Sequence, residues 1–478
     1  MLFSSITFLW LFLPIVLAIY FLLLKIFGHV TFAANLLLLV ASLFFYAWGE
    51  PIYVVLMLGS IILNWLMGLW LSRTHSSRAI LALACAGNLA ILGYFKYAGM
   101  VIDTLNALCG KVVFADINVS LPIGISFFTF QSMSYVIDVY RGECTPQKNV
   151  LKLALYISFF PQLIAGPIVK YKDVADQIDN RIVTRAIFAS GVRRFEYGLA
   201  KKVLIANVLA LGVDKIYSMQ MGEVTGLLAW TASLMYTFQI YYDFSGYSDM
   251  AIGLGRMFGF KFRENFNYPY TALSIREFWR RWHMSLCAWF KDYVYIPLGG
   301  NRAGKLKTYR NLGIVFFLTG LWHGASWNFV VWGILHGLVS IIERLGADRY
   351  LARNRLLSWL YTFLVVNFLW VFFRVTDIGA AASYCLRMLL PWQYMEGSGF
   401  FEVVDMEMLV VLVLAVLGMG IIQRVWESHV LPQRSLIRRA MEAWQGSLLE
   451  AVFCVLLLLL SIAALAASTY NPFIYFRF

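Results

Sequence analysis

The chain has 478 residues, of which 61% are hydrophobic and only 14% charged, with 39 Lys/Arg against 26 Asp/Glu for a formal net charge of +13. A soluble domain carries about 45–50% apolar and about 25% charged residues, so a soluble globular enzyme, a disordered chain and a secreted disulfide scaffold are all excluded. The class that remains is an all-α polytopic membrane protein. Its surplus of Lys and Arg belongs to cytoplasmic loops and gives no reason to invoke nucleic acid. Six cysteines, Cys85, Cys109, Cys144, Cys287, Cys385 and Cys454, are scattered without a CxxC pair or a zinc spacing and read as packing residues.

The first segment, MLFSSITFLWLFLPIVLAIYFLLLK, lacks a basic n-region and a small-residue cleavage site and reads as a retained first span. A span needs roughly 20 apolar residues. Windows that approach this are 5–24, 32–48, 53–72, 79–95, 121–139, 150–169, 203–218, 226–242, 311–342, 357–376, 406–422 and 447–468. They are longer than barrel strands and do not alternate apolar with polar, so a multi-helix bundle is expected. With no internal repeat or low-complexity linker, residues 1–478 read as one integral domain whose core motifs lie in 121–337.

Lys25, Arg73 and Arg78 fall on one side of the first spans and Glu50 on the other. Residues 343–356 carry Arg344, Arg349, Arg353 and Arg355, and 424–442 carry Arg424, Arg434, Arg438 and Arg439. Between them, 377–407 holds Asp377, Glu396, Glu402, Asp405 and Glu407 against Arg387 alone. The positive-inside rule then predicts the N-terminus, 377–407 and the tail NPFIYFRF outside.

Two regions read as re-entrant. In 150–172, Pro161, Gly166 and Pro167 interrupt an apolar run flanked by bases, and such a broken backbone must be buried in protein or line a wet cavity. Residues 311–342, NLGIVFFLTGLWHGASWNFVVWGILHGLVSII, carry no formal charge, yet basic segments precede and follow them. The chain is expected to enter and return, turning at Gly324–Asn328 with Ser326 or Asn328 as the cap of the second limb. His323 then lies near the tip of a limb about 20 Å long, and His336 lies on the return. Gly320 with Gly324, and Gly333 with Gly337, supply small-xxx-small spacings for close packing of the limbs.

From Arg256 to Arg310 there are eleven Lys/Arg against three Asp/Glu. Within this stretch, SIREFWRRWHMSLCAWF (274–290) opens with a capping box, Ser274 and Glu277. Ile275, Phe278, Trp279, Trp282, Leu286 and Trp289 recur at helical spacing, with Arg276, Arg280, Arg281 and His283 among the polar remainder. That pattern predicts an amphipathic helix near the cytoplasmic membrane face. The segment reads either as an anchor to anionic lipid or as an entrance that holds the phosphates of an acyl carrier.

Of six histidines, His29, His75 and His429 sit in short polar loops and suggest surface roles. His323 and His336 lie in apolar sequence, where an ionisable residue is either functional or a neutral partner of a neighbouring helix. His283 admits the same two readings on an interfacial helix. GxSxG, HExxH and GxxxxGK[ST] are all absent, and the serines of YDFSGYSD (242–249) match no triad spacing. A histidine without a built-in nucleophile suits general-base work on an incoming hydroxyl, and no close-spaced ligand pair supports a metal.

The blocks ENFNYPYTALSIREFWRRWHMSLCAWFKDYVYIPLGGNR (264–302) and GLWHGASWNFVVWGILHG (320–337) resemble the membrane-bound O-acyltransferase family, within it the bacterial polysaccharide O-acetyltransferases of the alginate type. MLFSSITFLWLFLPI (1–15), LPIGISFFTFQSMSYVIDVYRG (121–142), FFPQLIAGPI (159–168) and YYDFSGYSDMAIGLG (241–255) extend the likeness over most of the chain, with less of it after about residue 343. The resemblance implies a helical bundle pierced by opposed cytoplasmic and extracellular funnels. It makes His323 the catalytic histidine and His283 a second polar site residue, and it adds His336 from the branch pattern. It also implies acetyl-CoA as co-substrate, its phosphates met around Arg280, Arg281 and Arg302, with no resident cofactor or metal. The implied partners are a polysaccharide acceptor, reached through an extracytoplasmic acetyltransferase protein, and the lipid bilayer. D-alanyl transfer to a cell-wall polymer is the neighbouring alternative. A transporter or flippase, or a structural scaffold, is the alternative without chemistry.

Overall fold

The computed structural model describes residues 1–74, 77–115, 117, 119–302, 304–420, 446–468 and 470–474. His75, His429, the basic loop 424–442 and the last residues of the tail lie outside them. All regular elements among the described residues are helical. Among the described residues, seven helices are long and apolar enough to cross a membrane: Phe8–Phe27, Phe32–Gly49, Tyr53–Arg73, Arg78–Cys109, Trp327–Leu351, Arg355–Arg374 and Leu448–Ala467. Each matches one of the apolar windows. The windows at 121–139, 150–169, 203–218, 226–242 and 406–422 form helices that are too short or too polar to join them.

The chain divides into two compact units, Met1–Phe195 with Tyr247–Glu264, and Glu196–Gly246 with Asn265–Phe478. In the first unit, α1 (Leu13–Phe27), α2 (Phe32–Gly49), α3 (Tyr53–Arg73), α4 (Arg78–Leu92) and α5 (Ala98–Cys109) precede α6 (Ile125–Tyr140). Helix α6 packs against α3 and α4 and has 14 of its 16 residues buried, which explains why its pattern shows no polar face. Asn64 of α3 and Asn88 of α4 exchange amide hydrogen bonds of 3.0 and 2.8 Å, satisfying polar groups that hydrocarbon would leave unpaired. The interrupted segment behaves as its prolines and glycine require. Helix α7 (Val150–Ser158) stops, one short turn follows at Phe160–Leu163, and the irregular backbone to Lys170 is buried. Helix α8 (Arg185–Ala200) begins in this unit, where Arg194 pairs with Asp249 at 2.7 Å and with Glu264 at 2.5 Å.

In the second unit, α9 (Asn207–Tyr217) is followed by α10 (Gly226–Met257), which contributes residues 226–246 here. Short helices α11 (Ile275–Arg281) and α12 (Met284–Phe290) lead into a hairpin of α13 (Lys305–His323) and α14 (Trp327–Ile342). Helices α15 (Arg355–Arg374), α16 (Ile378–Leu389), α17 (Met406–Leu417) and α18 (Leu448–Ala467) follow, with short turns between them. The hairpin turns at residues 324–326, within the expected 324–328, and the second limb begins at Trp327, inside that expected turn. A Cβ on Gly320 would strike Phe329 O, and one on Gly333 would strike Phe316 O, so only glycine lets the limbs approach this closely. The expected cap is different. Ser326 occupies the N-cap position without a side-chain bond, and Asn328 instead donates to Phe372 O at 3.2 Å.

The amphipathic helix expected over 274–290 is also corrected. It breaks at Trp282–His283 into α11 and α12. Its apolar residues lie inside the protein, with Ile275 and Phe278 at 0% exposure, so they are core residues and do not form a lipid-facing stripe. Only half of the expected capping box forms: Ser274 Oγ accepts from Glu277 N at 3.1 Å, whereas the Glu277 carboxylate accepts from Leu273 N, one residue before the N-cap, at 2.8 Å. Glu343, just past α14, adds a second anchor by accepting from Ile275 N at 2.8 Å and Arg276 N at 3.3 Å. A carboxylate at a helix N-terminus satisfies donors that lack intrahelical partners, and here it fixes α11 against the base of the hairpin.

Candidate active site

His323 is the last residue of α13, held where the helix stops before Gly324. It is 5% exposed, and aromatic rings surround it: Trp322 at 5.0 Å, Trp332 at 5.2 Å and Phe373 at 5.1 Å between centroids. Trp332 lies one helical turn before His336 on α14 and packs against that ring too, at 4.9 Å. The two histidines of the hairpin therefore share one indole. His336 is fully buried, and its Nδ1 accepts from Trp279 Nε1 at 3.3 Å, which leaves the ring proton on Nε2.

His283 comes from outside the hairpin and joins the same cluster. Its ring lies 5.8 Å from Trp322, which also touches His323, and 4.6 Å from Phe244. The backbone at His283 is left-handed, with φ 44° and ψ 52°, a conformation disfavoured for any residue with a Cβ. This kink turns the side chain inward to 0% exposure. Its Nδ1 lies 3.2 Å from Asn265 Oδ1, and that oxygen also accepts from Ser285 N at 3.1 Å and Ser285 Oγ at 2.9 Å. Asn265 Oδ1 can only accept, so His283 carries its proton on Nδ1 and presents the Nε2 lone pair to the interior. Burial pushes the His283 pKa down to about 3, so the ring is neutral at physiological pH. It is thus built to accept a hydrogen bond from a hydroxyl.

Beside this cluster lies a cavity of about 270 Å³, walled by α11, α12, α13 and α14. Arg276, Arg280, Lys291 and Arg344 contribute cations, while Trp279, Leu286, Phe290, Leu312, Val315 and Phe316 supply an apolar lining. Leu312, Val315, Phe316 and Thr319 form one stripe of α13, and the next turn of that stripe carries His323. Thr319 and His323 are four residues apart, about 6 Å along the axis. Burial raises the pKa of Cys287, on the cavity wall, to about 12.

Of the three bases that the resemblance assigns to the donor phosphates, Arg280 alone lines the cavity. Arg281 points away, with Nε 3.0 Å from Glu277 Oε1 and Nη1 donating to Asn267 O at 3.1 Å. Arg302 is exposed on the turn after α12 and is not part of the wall. Arg276 and Lys291 belong to the basic segment 256–310, read as either a lipid anchor or a phosphate entrance, but were not singled out, and Arg344 was read only as a loop base. The i, i+4 spacing of Arg276 and Arg280 was the available signal, since it puts both on one face of α11. Asn265 and Trp279 had no signal, because their roles depend on partners remote in sequence.

The YDFSGYSD motif is supporting framework. Asp243 pairs with Lys202 at 2.6 Å and accepts from Ile474 N at 2.9 Å, while Phe244 packs against His283. Among the described residues no group of three or more His, Cys, Asp or Glu side chains converges as a metal-ligand set.

A sequence profile of the membrane-bound O-acyltransferase family matches residues 145–386. The chain is 42% identical to the probable alginate O-acetylase AlgI of Pseudomonas putida, over 100% of both chains. It is 38% identical to the peptidoglycan O-acetyltransferase of Helicobacter pylori, over 81% of this chain and 80% of that one. Similarity to the teichoic acid D-alanyltransferase of Bacillus subtilis is lower, 28% over 45% of this chain and 57% of the relative.

Proposed function

Because this chain belongs to the membrane-bound O-acyltransferase family, and is an O-acetyltransferase of multi-pass membrane architecture, we propose that it passes the acetyl group of cytosolic acetyl-CoA towards an extracytoplasmic polysaccharide of the alginate type. The observation that carries this reading is the cavity, whose cations lie over an apolar lumen that follows α13 to within one turn of His323. Arg276, Arg280, Lys291 and Arg344 suit the phosphates of the donor, and the apolar walls suit its thioester arm.

His323 takes the proton of the acceptor hydroxyl as its oxygen attacks the acetyl carbonyl. The carbon–sulfur bond breaks, and the histidine returns the proton to the CoA thiolate. The His283 Nε2 lone pair orients the acceptor hydroxyl. No resident cofactor or metal takes part. Basic loops in the cytoplasm put the N-terminus outside, in a bacterial plasma membrane, and the acetylated product leaves on the outer face to a partner protein that completes transfer to the polymer. The D-alanyl reading ranks below, because relatives of that name match less of the chain at lower identity than the acetyl-transferring ones.

The test is purified protein in detergent with acetyl-CoA labelled on the acetyl group, comparing wild type with a folded His323→Ala variant. Label leaving CoA in wild type only is expected. Equal loss from both variants removes His323 from the chemistry, and a wild type that neither binds nor consumes acetyl-CoA overturns the donor assignment.

A further inference from the structure

The geometry points to Trp279 as the inner stop of the donor cavity, fixing the length of acyl group it accepts, with His336 as the positioning residue that locks it. This rests on the donor reading above and adds a specificity role to it. Trp279 and Phe316 both line the cavity, and both pack against His336, at 5.0 and 6.3 Å between ring centroids. They also pack against each other at 5.6 Å. His336 itself is fully buried behind these rings and is not part of the wall.

The depth order along the hairpin supports the assignment. Arg344, just past α14, and Ser340 on α14 reach the cavity, His336 lies one turn further from the basic end, and Trp332 one turn beyond that. Trp279 touches both His336 and Trp332, the latter at 5.7 Å, so its indole sits at the level where the cavity ends and the histidine cluster begins. The Trp279 indole is 8% exposed and packed against Phe278, Phe316, Trp332 and His336. The bond from Nε1 to His336 Nδ1, 3.3 Å long, selects one orientation and commits the His336 tautomer to acceptance at Nδ1. With the indole held across the inner end, an acetyl group fits beside Thr319, and each further methylene of a longer chain meets the ring.

The experiment measures kcat/KM for acetyl-, butyryl- and hexanoyl-CoA with the full-length protein in detergent. Wild type is expected to favour acetyl. Trp279→Ala should raise the butyryl-to-acetyl ratio, at about 10–200-fold for each methylene newly admitted. His336→Leu, which removes the acceptor and keeps an apolar side chain of moderate size, should move the ratio in the same direction. His336→Asn, which keeps an acceptor near the Nδ1 position, should hold it close to wild type. Trp279→Phe, which keeps a ring and loses the N–H, provides a folded comparison if the alanine variant does not accumulate.

Ratios unchanged in both the Trp279 and the His336→Leu variants, with acetyl turnover retained, overturn the assignment while leaving the donor reading intact. Loss of all transfer in folded His336→Asn and His336→Leu protein that still binds acetyl-CoA overturns it as well, because His336 would then touch the reacting atoms. A wild type inert towards every acyl-CoA defeats the donor reading and this one together.

Discussion

Lys202 and Asp243 form a buried ion pair, Nζ to Oδ1 2.6 Å, with each side chain only 2% exposed. The pair ties the tail to the core of its unit: Lys202 also donates to Pro472 O, and Asp243 Oδ2 accepts from Ile474 N. Further along the same helical stretch, Asn207 donates to Asn471 Oδ1 at 3.2 Å and Asp214 accepts from Tyr470 OH at 2.6 Å.

Removing one partner of such a pair strands the other charge, at a cost of about 3–5 kcal/mol. Lys202→Met or Asp243→Leu alone should lower the melting temperature strongly. The double variant, which buries no charge, should recover most of the loss. Thermal unfolding in detergent measures this, and a double variant no better than either single one would contradict it.

The hairpin depends on its glycines. Gly320→Val and Gly333→Val drive side chains into the backbone of the opposite limb and should cost about 1–3 kcal/mol or more. Gly313→Ala, on the same helix with nothing within 4 Å of the added carbon, should be silent. Expression and thermal stability of the three variants provide the comparison.

The cavity cations separate from their neighbours. Arg276→Gln and Arg280→Gln should each raise KM for acetyl-CoA about tenfold or more, the loss of one charge-assisted hydrogen bond of about 1.5–3 kcal/mol, with little change in kcat. Arg302→Gln should leave KM unchanged. Steady-state kinetics at two salt concentrations tests this, and the difference should shrink as salt rises.

Cys287 reports on the cavity through its thiol. Burial disfavours the thiolate and raises its pKa to about 12, so at pH 8 only about one part in ten thousand is reactive. Its alkylation should be far slower than that of the exposed Cys109 and should rise about tenfold per pH unit towards pH 12. Peptide mass spectrometry after timed alkylation measures both sites. Cys287 is only partly exposed on the cavity wall, and its fast labelling at pH 8 would contradict the raised pKa.

The chemistry proposed for His323 was legible from its place at the end of an uncharged limb. The inward position of His283, which the resemblance names as a site residue, was not legible from the residues themselves, because helical periodicity over 274–290 hid the break at Trp282–His283 that turns its ring inward. A left-handed residue stabilised by tertiary contacts leaves no local pattern, since Asn265 and Ser285 act on it through side chains that periodicity does not describe.

Sequence by itself determined what depends on neighbours along the chain. Apolar run length marked twelve windows, seven of which hold the helices able to span a membrane among the described residues, turn residues located the hairpin tip within 324–328, and Ser274 with Glu277 marked the start of α11. Only the tertiary structure decided which groups meet across long separations. It turned Arg276 and Arg280 into the cavity while Glu277 held Arg281 away, brought Trp279 to His336, and matched Lys202 with Asp243. The physical reason is that helix period, capping and hydropathy are local energies summed over a few turns. A buried polar group instead takes whatever partner the packed fold delivers, and that partner can lie anywhere in the chain.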